Sequence, residues 1–229
     1  MSSAADAQDY AAQRARMVAE VEAMYAETSR ETGLSAMSGA VRASLGKVER
    51  HRFVPKPQQS MAYRNQPLPI GSGQTISQPY IVALSTDLLQ PRPEHVVLEV
   101  GTGSGYQAAV LAEAVKQVYT IELLEDLGRS AATRLAELGY RNIEVRIGDG
   151  YAGWPEKAPF DGIIVTAAAP RIPPALVAQL KTGGRMVIPV GSEGWVQSLK
   201  VVTKRADGGY DQRDIIPVRF VPLVPKSGG

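Results

Sequence analysis

Residues 96–106, Val-Val-Leu-Glu-Val-Gly-Thr-Gly-Ser-Gly-Tyr, constrain the fold more than any other stretch of this chain. The first five read as a buried strand, and they run straight into glycines at 101, 103 and 105. Gln107 to Ala112 then read as a helix. A strand joined to a helix by a glycine-rich turn brings backbone N–H groups against a nucleotide-bearing ligand. The dinucleotide fingerprint would place its third glycine at position 106, where this chain has Tyr106. That disfavours a nicotinamide-dependent oxidoreductase and favours a wider turn, suited to a ligand without a pyrophosphate. Glu122 closes the next apolar run, Val118 to Ile121, about twenty residues beyond the first glycine, where an acid accepts hydrogen bonds from ribose hydroxyls.

The bulk composition narrows the class. Both signs of charge are interspersed and the net charge is +2, which leaves no electrostatic footprint for nucleic acid or an anionic membrane. There is no cysteine, so disulfides, thiolate nucleophiles and Cys-ligated metals are excluded. No His/Asp/Glu cluster has metal-ligand spacing, and no metal is expected. The chain shows neither an apolar leader nor a run of about 18 apolar residues, and a cytoplasmic enzyme is expected. Its 229 residues suggest one large core. Residues 1–35 are expected to form a helical extension, frayed over 1–10, and 36–229 a single catalytic domain.

Along the chain, Met17, Val18, Val21, Met24 and Tyr25 recur at helical spacing, and Leu34, Met37, Val41, Leu45 and Val48 predict a second helix. Residues 56–76, rich in proline and glycine, predict an irregular loop. Ser77 is expected to start the next helix, with Pro79 in its first turn. Strands are predicted at 96–100, 117–122, 143–147, 161–166 and 185–190, and helices at 104–116, 125–138 and 174–180. Lys181 to Gly184 predict a turn, and 196–204 with 213–224 a hairpin around Ala206 to Gly209. The expected fold class is α/β: a doubly wound, Rossmann-like, mostly parallel sheet with an antiparallel C-terminal edge and N-terminal helices.

Three features carry chemistry beside the glycine turn. Gly148-Asp149-Gly150 ends the third strand, on the edge where such sheets bind ligands; Asp149 either meets an adenine amino group or simply makes an Asp-Gly turn. Ser77 reads as an N-cap, a role compatible with its hydroxyl facing an anionic ligand. The two histidines, His51 and His95, read as surface or turn residues, and Trp154 and Trp195 as packing or rim residues. So few acid–base groups suit a reaction that needs none. A carboxylate with a pKa near ~4 is already ionised at neutral pH, and transferring a methyl to it from a sulfonium requires only alignment and exclusion of water.

Strand, glycine turn, helix, strand and acid together resemble the cofactor half of an S-adenosylmethionine-dependent methyltransferase. The resemblance sharpens over about residues 50 to 225. Leu68-Pro69-Ile70-Gly71, Gln74-Thr75-Ile76-Ser77-Gln78-Pro79, Val97 to Tyr106, Gly148-Asp149-Gly150, Pro159-Phe160-Asp161, Ala167 to Pro170, Gly183-Gly184-Arg185 and Val218 to Leu223 occur in the order seen in the protein-L-isoaspartate O-methyltransferase family. The Thr-Ile-Ser-x-Pro block and the Arg-Phe-Val-Pro-Leu tail are the specific ones.

The resemblance implies methylation, with S-adenosyl-L-methionine, of the free α-carboxylate of L-isoaspartyl residues in damaged proteins. S-adenosyl-L-homocysteine is the product, and the ester closes to a succinimide that reopens as aspartate. It further implies that Ser77 is the active-site serine, and that Gln74, Thr75 and Ile76 line the junction of cofactor and substrate. Gly101, Gly103 and Gly105 would cradle the cofactor's amino-acid portion, Glu122 its ribose, and Asp149 with Gly150 its adenine, with Glu99, Thr102 and Ser104 also among the cofactor-binding residues. Val221, Pro222 and Leu223 would help hold the peptide. Isoaspartyl proteins and peptides are the expected partners, and the expected state is a monomer. Glu27 to Gly33 reads as an insertion, and Lys47 to Phe53 departs from the family's pattern. A relative that esterifies aspartyl side chains of one dedicated peptide would be expected to carry an extra recognition segment. A non-catalytic nucleotide-binding module would have no physical reason to keep Ser77 and the whole cofactor set.

Overall fold

The computed structural model describes residues 9–192 and 194–226; most of the expected N-terminal fraying lies outside them. Helix α1 (Tyr10–Glu27) starts where the Asp9 carboxylate accepts from the Ala12 N–H at 2.9 Å. The single turn α2 (Ser29–Thr32) fills the expected insertion and ends on Gly33 at φ 75°. Helix α3 (Gly39–Lys47) is shorter than its apolar spacing predicts. Ser38 caps it by accepting from the Val41 N–H at 3.2 Å, which leaves Leu34 and Met37 outside the helix.

The expected loop over 56–76 is a correction. Lys56–Met61 is a 3₁₀ turn, and β1 (Leu68–Gly71) pairs antiparallel with β2 (Gln74–Ile76). The link between them is two residues, Ser72 at φ 53° and Gly73 at φ 70°, the double left-handed geometry of a tight hairpin turn. Helix α4 (Pro79–Leu89) follows, buried at every position except Ile81.

Strand and helix then alternate: β3 (Val96–Val100), α5 (Tyr106–Ala112), β4 (Gln117–Glu122), α6 (Glu125–Glu137), β5 (Ile143–Ile147), β6 (Phe160–Val165), α7 (Pro174–Ala178), β7 (Leu180–Val190), β8 (Gln197–Lys204) and β9 (Tyr210–Val218). Helix α5 ends earlier than predicted because the Asn142 amide donates to the Ala112 carbonyl at 2.9 Å and closes its last turn. The turn expected at 181–184 is absorbed into β7 as a bulge between the Phe160–Leu180 and Gly162–Arg185 pairs, with Gly183 at φ 78°.

The seven-stranded sheet has the order β5-β4-β3-β6-β7-β8-β9, parallel from β5 to β7 and antiparallel through β8 and β9. The chain winds outward from β3 to β5, then returns to lay β6 beside β3. The crevice for a ligand therefore opens at the carboxyl ends of β3 and β6. Alternate strand residues feed opposite cores. Val97, Val118 and Val187 join α1, α3, α4 and α5 on one face, while Leu98, Met186 and Ile188 join Trp154 and Leu176 on the other.

Helix α1 belongs to the first core through Met17, Val18, Val21 and Tyr25. The Tyr25 hydroxyl donates to Asp87 in α4 at 2.7 Å, and the same carboxylate accepts from the Ser38 N–H at 3.1 Å. Burial and Asp87 push the Tyr25 phenol well above its ordinary range. Among the described residues no helix is long and apolar enough to cross a membrane, and no group of three His, Asp or Glu side chains could hold a metal ion.

Candidate active site

The glycine turn leaves β3 bent around two neighbours. The Gly101 and Thr102 N–H groups both donate to the Ile121 carbonyl, at 2.8 and 3.1 Å, and the Gly103 N–H donates to the Glu122 carboxylate at 2.8 Å. The second Glu122 oxygen accepts from the Leu124 N–H at 3.0 Å. Gly101 has φ 97°, and a Cβ there would run into the Thr166 hydroxyl, which donates to the Gly101 carbonyl at 2.6 Å. Any side chain at 101 would face both strain and a collision.

Tyr106, in place of a third fingerprint glycine, borders the cleft beside this turn. It is the first residue of α5, its ring is buried against Phe53, and the Arg50 guanidinium stacks 4.7 Å from its centroid. Arg50 is itself buried and donates to the Ala62 carbonyl at 2.8 Å, which ties the approach to the hairpin onto the cofactor helix. Burial lowers Arg50 to about 10 and raises Tyr106 to about 12.

An open cleft lies along this edge. Gln74, Thr75, Ile76 and Ser77 form one wall. Glu99, Gly101, Thr102, Gly103 and Ser104 form the floor, Glu122 and Gly150 the far end, and Val221, Pro222 and Leu223 the rim. Two expected residues stand back from it. Gly105, at φ 89°, is the N-cap of α5, and a Cβ there would press on Leu135 in α6 at 3.1 Å. Asp149 accepts from the Tyr151 N–H at 2.8 Å and the Lys226 N–H at 3.1 Å, so the Asp-Gly turn and the C-terminal tail hold its carboxylate.

Glu99 is fully buried in the floor. One oxygen accepts from the Thr120 hydroxyl at 2.5 Å, which is 2.7 Å from the Thr102 hydroxyl; the other, Oε1, has no hydrogen-bond partner among the described residues. Burial pushes its pKa up to about 8, against the opposing hydrogen bonds of Thr120 and the Ala108 backbone and with the Glu122 charge adding to the rise. A buried carboxyl with an idle oxygen is poised for a cation.

Ser77 corrects the expectation that it starts and caps a helix. The N-cap of α4 is Gln78, with no side-chain cap, and Pro79 lacks an N–H to satisfy. The next N–H, of Tyr80, donates instead to the Asn65 side chain at 3.0 Å. Half-buried between β2 and α4, Ser77 is therefore released from capping.

A second groove adjoins the first, and Thr75, Ser77, Thr166 and Val221 border both. The Val221 carbonyl accepts from the Ala168 N–H at 2.8 Å and the Leu223 N–H donates to the Ala168 carbonyl at 2.7 Å, which fixes the C-terminal segment across this junction. Thr166 was missed in the sequence reading. Its signal is its position, first after β6, at the carboxyl edge that binds ligands.

Neither histidine reaches the junction. His51 stacks on Tyr10 at 3.9 Å and hydrogen-bonds the Tyr63 hydroxyl at 2.8 Å; His95 precedes β3, at the opposite end of that strand from the glycine turn. Trp154 packs edge-on against Tyr119, and Trp195 is exposed.

Comparison with known proteins adds to this geometry. The family model described as protein-L-isoaspartate(D-aspartate) O-methyltransferase matches residues 21–228. Protein-L-isoaspartate O-methyltransferase 2 of Polaromonas sp. is 60% identical over 207 residues, covering 90% of this chain and 98% of the relative. Protein-L-isoaspartate O-methyltransferase 1 of Cupriavidus necator is 56% identical over 216 residues, covering 94% and 83%. A solved protein-L-isoaspartate O-methyltransferase superposes with TM-score 0.82 at 25% identity, over 94% of this chain and 67% of that one. A crystal structure from Plasmodium falciparum, described as a putative protein-L-isoaspartate O-methyltransferase in complex with S-adenosyl-L-homocysteine, superposes with TM-score 0.70 at 25% identity, covering 90% and 99%.

Proposed function

We infer the roles of these residues from one premise: the chain belongs to the protein-L-isoaspartate(D-aspartate) O-methyltransferase family. It is a repair enzyme that transfers a methyl group from S-adenosyl-L-methionine to the free α-carboxylate of L-isoaspartyl residues in damaged proteins and peptides. The observation that carries the assignment of roles is the meeting of two cavities at Thr75, Ser77, Thr166 and Val221, one floored by the glycine turn and the other open to a peptide.

The first cavity fits the cofactor, which when bound supplies an electrophilic methyl on a sulfonium. Glu99 Oε1, buried and unpartnered, meets its cationic amino-acid end. Gly101, Thr102, Gly103 and Ser104 line the same portion, with Gly105 setting the turn. Glu122 takes the ribose hydroxyls with the lone pairs its two N–H donors leave free. Gly150 borders the adenine end, and Asp149 serves there by fixing that turn and the tail over it.

On the substrate side, Ser77 donates its hydroxyl to one oxygen of the acceptor carboxylate and leaves the other to react. It acts by positioning, since among the described residues none of its companions at the junction, Thr75, Thr166 and Val221, is a base that could make it a nucleophile. Gln74, Thr75 and Ile76 close the junction, and Val221, Pro222 and Leu223 hold the peptide. The acceptor arrives ionised, so alignment and exclusion of water are the remaining demands. We further take the enzyme to act as a cytoplasmic monomer that does not engage nucleic acid.

The test is transfer of labelled methyl to an isoaspartyl peptide beside the same sequence with ordinary aspartate. Methylation of only the isoaspartyl peptide is expected. Equal rates on both would reject this reading in favour of a general aspartyl carboxyl methyltransferase.

A further inference from the structure

Among the described residues, the groove beyond Ser77 contains one ionisable side chain. Pro67, Gln78, Ile81, Val196, Pro217 and Phe220 line it beside the four junction residues and Val218, none of them charged, together with Arg219. Arg219 is exposed, and among the described residues it makes no ion pair within 4.0 Å. Its backbone is nonetheless held. Val218 on one side pairs with Gln197 in β8, and on the other the Phe220 N–H donates to the Gln197 side chain at 2.8 Å. Beside it, at the start of β8, the rim is apolar, with Val196 53% exposed and Trp195, just before it, 75% exposed.

We propose that Arg219 reads a second carboxylate on the substrate, an acidic side chain flanking the isoaspartyl residue, while Val196 and Trp195 carry the apolar part of the same peptide. This rests on the isoaspartyl-methyltransferase reading and deepens it by naming a substrate preference. Charge complementarity identifies the occupant. Among the described residues the groove carries one charge, the Arg219 cation on a held backbone, so an anionic flank gains there and a cationic flank is repelled. The acceptor carboxylate itself is not Arg219's ligand. A guanidinium paired to that oxygen would withdraw the negative charge that attacks the methyl, whereas a cation out on the rim attracts the peptide without touching the reaction.

The experiment compares kcat/KM for three isoaspartyl peptides of one sequence, with Asp, Ala or Lys at a neighbouring position, placed before the isoaspartyl residue in one set and after it in another. In the native enzyme the Asp-flanked peptide is expected to exceed the Lys-flanked one by about two- to five-fold in at least one set, the size of an exposed ion pair. Salt should flatten the ratio. Arg219→Ala should bring it near one, Arg219→Glu should invert it, and Arg219→Lys should keep its direction.

A ratio that stays the same in Arg219→Glu overturns the proposal. So does a loss in Arg219→Ala of kcat on all three peptides alike, which would place the guanidinium on the acceptor carboxylate. Failure of the Ala-flanked isoaspartyl peptide to be methylated at all would instead reject the underlying functional reading.

Discussion

Replacing Glu99 with glutamine tests the chemistry of the cofactor floor in two independent ways. The side chain keeps its shape, but a group that burial holds at about 8, against an ordinary 4.5, no longer titrates. Between those two values the folded protein keeps a proton that the unfolded chain has already lost. The stability associated with that proton is therefore fully present below pH 4.5 and is lost as pH rises through about 8. The full linkage is roughly 5 kcal/mol at most, and relaxation around the carboxylate should reduce it to ~2–3 kcal/mol. Denaturant titrations of the cofactor-free protein at several pH values should show the native enzyme losing that amount relative to Glu99→Gln between about pH 5 and pH 8. Parallel stability curves would refute the claim that Glu99 is buried without a counter-charge. Cofactor binding gives the second readout. A cation settling beside Oε1 favours the ionised form, so calorimetry near neutral pH, in buffers of different protonation enthalpy, should record proton release by the native enzyme and none by the variant. Equal proton release by both would remove Glu99 from the cofactor's cationic end.

Other substitutions separate the remaining roles. Ser77→Ala should lower kcat on an isoaspartyl peptide while leaving the affinity for S-adenosyl-L-methionine nearly intact; equal loss of both would make the hydroxyl a structural element. Glu122→Ala should weaken cofactor binding by roughly 1–3 kcal/mol in a calorimetric titration, and unchanged affinity would take Glu122 off the ribose. Gly101→Ala combines a left-handed backbone with a collision at Thr166, so cofactor affinity should fall by more than tenfold, and Thr166→Ser, which keeps the hydroxyl, should retain it. Asn65→Ala removes the side chain that satisfies the first turn of α4 and should cost ~0.5–2 kcal/mol in a denaturant melt, with a larger rise in peptide KM than in cofactor Kd because the hairpin beside Ser77 loosens.

Several elements were legible because their signals are local. The bounds of β3, β4 and β5 match the sequence reading, since β3 and β4 are short, largely buried runs and the edge strand β5 alternates Ile-Glu-Val-Arg-Ile before a Gly-Asp-Gly turn. The hairpin at 68–76 was hidden because Ser72-Gly73 is a less familiar pair for a two-residue turn than Asn-Gly, and because the surrounding prolines and glycines read as disorder in pattern. Ser77 was misplaced for a different reason: its neighbour Pro79 made a local cap plausible, and the competing acceptor, Asn65, comes from another loop.

The same division runs through the active site. The residue types along the chain were enough to name the strand–turn–helix, the acid after the second strand, the serine block and the C-terminal segment, because each is a short motif whose chemistry resides in its own backbone and side chains. Only the folded molecule decided that Gly105 packs on α6, that the Asp149 carboxylate is held by the tail, that Thr166 stands at the junction, and that Glu99 is left with an idle oxygen. Those outcomes depend on which distant groups arrive within hydrogen-bond distance and on how much water is excluded when they do. Neither quantity is a property of any one segment of the chain.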